Sequence, residues 1–71
     1  MEYTNSQIRN LIDEYIHDEV VRKMLRWRLI EGYTFEKILD LVFDEDNIRT
    51  VKTVRNKIHK GEEILFKHIP G

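Results

Sequence analysis

The residues of this sequence that could do chemistry are concentrated in positions 47–61, NIRTVKTVRNKIHKG. The segment has no carboxylate, and its basic residues are Arg49, Lys52, Arg55, Lys57 and Lys60. The whole chain nevertheless holds 12 basic and 13 acidic residues, for a net charge of −1. Lys and Arg neutralise phosphates, Arg can bind guanine through two hydrogen bonds, and Asn can bind adenine in the same way. These residue types indicate contact with nucleic acid, although a solvated helix face can also carry a run of charge.

Charge is distributed unevenly along the chain. Residues 1–46 carry eleven acidic and six basic side chains, whereas residues 47–71 carry six basic and two acidic ones. A solvated helix normally mixes the two signs, because Glu and Lys four residues apart stabilise it. The first carboxylate after position 46 is Glu62, and this long acid-free stretch favours a basic binding face on an otherwise acidic body.

Projected at about 100° per residue, positions 48–65 form an amphipathic helix. One side carries the apolar residues expected to face a core, which are Val51, Val54, Ile58 and Leu65, with Gly61 in the same stripe. The other side carries the residues expected to contact DNA: Arg49, Lys52, Asn56 and Lys60, with Thr53 beside them and Arg55 and Lys57 on the flanks. Gly61 either ends this helix or lets two helices cross closely, and the continuing apolar stripe favours the second alternative.

The elements that must position this face are all helical, because no segment shows a convincing two-residue period. The predicted fold is an all-α, three- to four-helix bundle in one domain, residues 1–71. Its helices are expected at about 5–16, 18–31, 34–43 and 48–68. Expected caps are a capping box of Thr4 with Gln7, an N-cap at Asp18, a left-handed residue at Gly32 and an N-cap at Thr34.

The second helix carries two apolar stripes, which predicts a central position in the bundle. Arg28 lies between these stripes and is expected to be half-buried and paired with a carboxylate, because an unpaired buried charge is costly. Trp27, Tyr15, Tyr33 and the three Phe residues are expected to belong to the core or an interface rather than to base-stacking platforms.

Several classes of function are disfavoured by what the sequence lacks. The chain has no Cys, and its three His residues have no zinc-site spacing, so no metal or other cofactor is expected. No nucleophile–base order, phosphate-binding glycine loop or catalytic carboxylate pair stands out, so we do not expect an enzyme. Neither a signal peptide nor a membrane span is apparent, and the expected location is the cytoplasm.

The order of the last two helices is that of a helix-turn-helix, in which a supporting helix and a turn precede a recognition helix in the major groove. In this arrangement the N-terminal end of the supporting helix, at Thr34, would offer free backbone N–H groups to a phosphate.

Two segments, RKMLRWRLIEGYTFEKIL (22–39) and TVRNKIHKGEEIL (53–65), resemble region 4 of bacterial sigma factors. The similarity is closer to the small phage activators of the ArpU and RinA type and covers about two-thirds of the chain. The matching residues are Arg28, Leu29, Gly32, Thr34, Phe35, Ile38, Thr53, Val54, Asn56, Ile58, Lys60, Gly61, Leu65, Phe66 and Lys67. The resemblance implies double-stranded DNA as the partner, with the reading positions falling between Lys52 and Lys60.

The chain departs from the family pattern at two places. Leu39 stands where the family usually has Ala, and a larger side chain there would alter how the two helices cross. The distance from Phe43 to Gly61 is about four residues longer, which either adds a turn to the last helix or lengthens the loop.

The expected function is therefore sequence-specific binding of double-stranded DNA by a phage or prophage-type transcriptional regulator. One alternative is an interaction module that contacts RNA polymerase or a regulator, and another is a DNA-recognition subunit of phage packaging machinery. The apolar C-terminal residues, which are Ile64, Leu65, Phe66 and Ile69, either fold back on the first helix or form a homodimer surface.

Overall fold

Residues 4–68 are described by a computed structural model, and within them every regular element is helical. The α-helices of this part of the chain are α1 (Asn5–Tyr15), α2 (Glu19–Leu29), α3 (Phe35–Val42) and α4 (Val51–Lys67). A short 3-10 turn, Glu45–Asn47, lies between α3 and α4. The all-α prediction is confirmed.

The first two helices begin at the residues that the sequence predicts. The Thr4 hydroxyl accepts the Gln7 N–H at 3.2 Å, and the Gln7 side chain accepts the Thr4 N–H at 2.8 Å, which completes the capping box. Asp18 Oδ1 accepts the N–H groups of Val20 and Val21. These bonds satisfy backbone donors that have no partner inside the helix, and they fix where α1 and α2 start.

Helix ends fall one or two residues short of the predicted limits. Ile16 has extended backbone angles, so α1 ends at Tyr15, and α2 ends at Leu29 with Ile30 as its cap. Gly32 follows with a φ of 73°, which confirms the left-handed residue expected there. A non-glycine side chain is disfavoured in this region because its Cβ approaches the backbone carbonyl.

α2 and α4 are the central helices, and each packs against the other three helices. This arrangement confirms the central position predicted for α2. The buried apolar core consists of Ile12, Ile16, Met24, Leu25, Ile38, Val42, Ile48, Val54, Ile58 and Leu65. Trp27, Tyr15, Tyr33 and Phe35 pack against this core as predicted, and so does Leu39. Phe43 and Phe66 are instead exposed.

The prediction that Arg28 pairs with a carboxylate is wrong within the described residues. Arg28 is half-buried, but its Nη1 donates to the carbonyl oxygen of Tyr33 at 2.9 Å. Its guanidinium lies 4.3 Å from the centre of the Phe35 ring. A carbonyl oxygen and the negative face of an aromatic ring thus replace the expected ion pair, and both attract a cation. Arg28 thereby connects the end of α2 to the start of α3.

The four additional residues before α4 form a loop rather than an extra helical turn. α4 begins at Val51 instead of position 48, so Arg49 lies outside the helix. Ile48 precedes the helix but is completely buried, and it anchors the loop to the core. The Asp44 N–H donates to the Ile48 carbonyl at 2.8 Å, and this bond closes the turn.

Three non-glycine residues of this loop have positive φ. They are Asp44 at 70°, Asp46 at 49° and Asn47 at 61°. Left-handed conformations are strained for residues with a Cβ, although Asp and Asn tolerate them better than most. The burial of Ile48 on one side and Val42 on the other fixes the two ends of the loop and imposes these angles.

Replacing Asp46 by glycine is therefore expected to stabilise the protein by about 0.5–1 kcal/mol, because glycine adopts this angle without steric cost. Urea denaturation followed by far-UV circular dichroism measures the change. Glu36→Gly, at an exposed helical position of α3, is the matched control and should destabilise by about 0.5 kcal/mol. A loss of stability in Asp46→Gly would mean that the Asp46 side chain stabilises the folded protein by more than the strain of its positive φ destabilises it.

α4 runs through Gly61 without interruption, which confirms the favoured alternative for this residue. Gly61 is buried, and a Cβ built on it would lie 2.7 Å from Leu25 Cδ1, which is closer than carbon atoms can approach. The missing side chain therefore lets α4 cross closely over α2.

The last turns of α4 only partly fold back on α1. Leu65 is buried, and the His68 ring stacks on the Tyr15 ring of α1 at 3.7 Å. Ile64 and Phe66 remain 41% and 58% exposed. Ile69, the fourth apolar residue of this group, lies outside the described residues.

Candidate nucleic-acid interface

The candidate interface is the outward face of α4, defined here as Lys52, Arg55, Asn56 and Lys60. All four side chains are exposed. Val54, Ile58, Gly61 and Leu65 are buried on the opposite side of the same helix. The exposure predicted for Lys52, Asn56 and Lys60 is confirmed, and Arg55, predicted on the flank, is exposed as well, because burial of one apolar stripe leaves the polar residues of the other side in solvent.

Two of the predicted site residues lie at the edge of this face rather than on it. Thr53 and Lys57 are half-buried. The Thr53 hydroxyl lies 3.0 Å from the hydroxyl of Thr50, so it already has a hydrogen-bond partner. Thr53 and Lys57 could reach a ligand only from the flank of α4.

Within residues 4–68, the cations of the outward face have no carboxylate in ion-pair distance. Among residues 4–68, ion pairs join Lys23 to Glu45, Arg26 to Asp13 and Arg49 to Asp44, and none involves Lys52, Arg55 or Lys60. The first turn of α4 contains no acidic residue. Unpaired cations at this spacing create a local positive potential, although the whole chain is slightly acidic.

Arg49 occupies a different position from the one that the helical projection gives it. It precedes α4, and its Nε donates to Asp44 Oδ1 at 3.0 Å. Both side chains are mostly exposed, so the pair adds little to stability, but it offsets the charge of Arg49. Placing Arg49 on the face of the last helix was wrong.

Thr34 is the N-cap of α3, and its hydroxyl accepts the Lys37 N–H at 3.1 Å. Glu36 lies in the first turn of the same helix. Its carboxylate complements the positive end of the helix dipole and competes there with an incoming phosphate. Contact between the Thr34 end of α3 and phosphate stays a prediction.

The sequence reasoning missed Thr50, which positions the whole interface. The Thr50 hydroxyl accepts the Thr53 N–H at 3.2 Å and caps the start of α4. The signal was present, because a threonine just before an amphipathic run is a typical N-cap. Thr53 also precedes amphipathic residues and is a second candidate for the N-cap, but only one of the two threonines can start the helix.

The connection between α3 and α4 is longer than that of a typical helix-turn-helix. Positions 43–50 separate the two helices, whereas the motif usually has a turn of about three or four residues. α3 nevertheless packs directly against α4. The helix-turn-helix geometry therefore stays a prediction, and only the order of a short helix followed by a basic helix is confirmed.

Within the described residues, no group of His, Cys, Asp and Glu has the arrangement of a metal site. His59 is exposed as predicted, and the centres of its ring and the Phe35 ring lie 6.3 Å apart in an edge-to-face arrangement. No helix in residues 4–68 combines the length and apolar composition that crossing a membrane requires.

Comparison with protein-family models, curated proteins and solved structures gives no match. The resemblance to sigma region 4 and to the phage activators therefore stays a prediction based on the motifs themselves.

Proposed function

We propose that this protein binds double-stranded DNA and places the outward face of α4 in the major groove. It would act as a transcriptional regulator of the phage or prophage type. The observation that carries the proposal is the exposed face of Lys52, Arg55, Asn56 and Lys60, which lies before the first carboxylate of α4, Glu62, and whose cations have no carboxylate partner within residues 4–68.

The chemistry of this face suits a duplex. Lys and Arg at helical spacing can neutralise phosphates on either side of a groove, and the Asn56 amide offers both a donor and an acceptor to adenine. The major groove is about 12 Å wide, which accommodates an α-helix. Because α4 is fixed to the core along its opposite stripe, these side chains are presented from a rigid support.

Salt dependence tests the proposal directly. If three to five phosphates are neutralised, log K should fall with log salt at a slope of roughly −3 to −4. Fluorescence anisotropy of a labelled duplex pool, repeated over a range of salt concentrations, measures this slope. An absence of salt-sensitive DNA binding by the full chain would contradict the proposal.

Asn56→Ala is expected to reduce the preference for one base at a single position by about 1–3 kcal/mol. The substitution removes the amide that, in the proposed complex, binds the edge of that base. Selection of bound duplexes from a random pool, followed by sequencing, measures this change. Lys60→Ala should instead weaken all duplexes alike if Lys60 contacts phosphate. If the two variants select the same sequences as the unsubstituted protein, Asn56 does not read a base.

A second candidate function is a protein-interaction module that contacts RNA polymerase or another regulator. The observation in its favour is the exposure of two large aromatic side chains, Phe43 at 59% and Phe66 at 58%. Retention of an RNA polymerase subunit by the immobilised protein, lost in Phe66→Ala and kept in Lys60→Ala, would favour this candidate.

A further inference from the structure

A cavity of about 270 Å³ lies between the α1–α2 junction and the flank of α4. Its lining residues come from three helices and the junction, and they are Tyr15, Ile16, His17, Asp18, Val21, Lys57, Lys60, Gly61 and Ile64. A water molecule occupies about 30 Å³ of the liquid, so this cavity has room for a small organic molecule of roughly ten to twelve non-hydrogen atoms.

The walls of the cavity are largely apolar. Tyr15, Ile16, Val21 and Ile64 supply aromatic and branched aliphatic surface. Gly61 contributes backbone to this stretch of the wall. Apolar walls with a few polar groups at the edge are typical of small-molecule sites, and they disfavour a wholly polar anion such as free phosphate.

The charges at the cavity are predominantly those of cations. Lys57 and Lys60 line one side, and within residues 4–68 neither ammonium lies within ion-pair distance of a carboxylate. Asp18 is the one carboxylate of the lining, and its Oδ1 is engaged by the N–H groups of Val20 and Val21. His17 adds an imidazole ring to the lining. An anionic group at the Lys57 and Lys60 side would satisfy both ammonium groups.

We propose that this cavity binds a small amphipathic carboxylate, with an aromatic or branched hydrocarbon body against the apolar walls and its carboxylate between Lys57 and Lys60. Charge complementarity selects this occupant over a neutral hydrocarbon, and the volume accommodates a hydrocarbon body of this size. The site uses the flank of α4 that faces α1 and α2, and it shares Lys60 with the outward face, so Lys57 is the cation that belongs to the cavity alone.

4-Phenylbutyrate is a suitable probe, because it has about twelve non-hydrogen atoms and a terminal carboxylate. Titration into the ¹⁵N-labelled full-length protein should give saturable shifts, centred on the amides of Ile16, Val21 and Gly61, with a Kd of about 1 mM or lower. 4-Phenylbutanol has the same body without the charge, and it should bind at least about tenfold more weakly.

Lys57→Gln/Lys60→Gln should reduce the affinity for the carboxylate at least about tenfold and leave the affinity for the alcohol unchanged. Lys52→Gln/Arg55→Gln removes the same charge from the outward face of α4 and should bind the carboxylate as the unsubstituted protein does. Dispersed amide spectra of both variants establish that they are folded.

Four results would overturn the proposal. They are the absence of saturable shifts, shifts centred on Lys52, Arg55 and Asn56, equal affinity for the acid and the alcohol, and a dimer in sedimentation equilibrium whose interface maps to the cavity residues.

Discussion

Gly61→Val is expected to destabilise the protein by about 2–3 kcal/mol, although valine has a higher helix propensity than glycine. The reason is the crossing of α4 over α2, where even a Cβ would lie 2.7 Å from Leu25 Cδ1. Leu25 is completely buried and cannot rotate into solvent, so the helices must separate or neighbouring side chains must leave their preferred rotamers. Urea denaturation followed by far-UV circular dichroism measures the loss.

The expected clash has a specific partner, which a double-mutant cycle can test. Leu25→Val removes both Cδ atoms and should cost about 1 kcal/mol by itself. In that background the added cost of Gly61→Val should fall by at least about 1 kcal/mol, because the contacting atoms are gone.

Gly32→Ala provides the matched glycine control for this cycle. Its Cβ would meet no atom within 4 Å, but its φ of 73° disfavours any side chain. Gly32→Ala should therefore lower the free energy of unfolding by about 1 kcal/mol through backbone conformation alone. Leu25→Val should leave this loss unchanged. If Leu25→Val instead lowers the costs at both glycines equally, the crossing of α2 and α4 is not what requires Gly61.

Lys52→Gln/Arg55→Gln is expected to weaken DNA binding roughly 100-fold at 0.1 M salt, because each phosphate contact contributes about tenfold at that concentration. This prediction rests on the proposed function. The slope of log K against log salt should become less steep by about 2, because two fewer counterions are released. Both residues are exposed and outside ion pairs within residues 4–68, so the fold should be unaffected.

Arg9→Gln/Arg26→Gln is the control, because it removes the same number of positive charges from α1 and α2, away from Thr34 and from the outward face of α4. We expect the DNA affinity to change by less than about threefold and the slope of log K against log salt to stay almost the same. Charges away from the interface act only through the screened long-range field. An equal loss in both double variants would mean that net charge, rather than the outward face of α4, governs binding.

Much of the local structure follows from short-range rules that the sequence expresses directly. Thr4 with Gln7, Asp18 and Thr34 each supply a side-chain acceptor next to a helical run, and each caps the helix predicted for it. The stripe of Val54, Ile58 and Leu65 likewise fixes which side of α4 is buried. Capping and helical periodicity depend on neighbours within about four residues, so one sequence is sufficient to recognise them.

The tertiary structure decided the features that depend on distant partners. The sequence suggested a carboxylate for Arg28, but the folding of α3 against the end of α2 brought the Tyr33 carbonyl and the Phe35 ring within reach instead. Periodicity also placed Arg49 on the last helix. Burial of Ile48 in the core and closure of the Asp44 turn make this segment a loop, in which Arg49 pairs with Asp44.

The sequence by itself determined an all-α chain with a basic, acid-free helix face, because helix propensity, capping and amphipathic periodicity are local properties. Only the tertiary structure decided where α4 begins, why Gly61 must lack a side chain, and which cations of residues 4–68 lie outside ion pairs within that range. Those outcomes depend on how α2 and α4 cross and on which side chains the loop brings together, and contacts between residues far apart in the chain have no fixed spacing in the sequence.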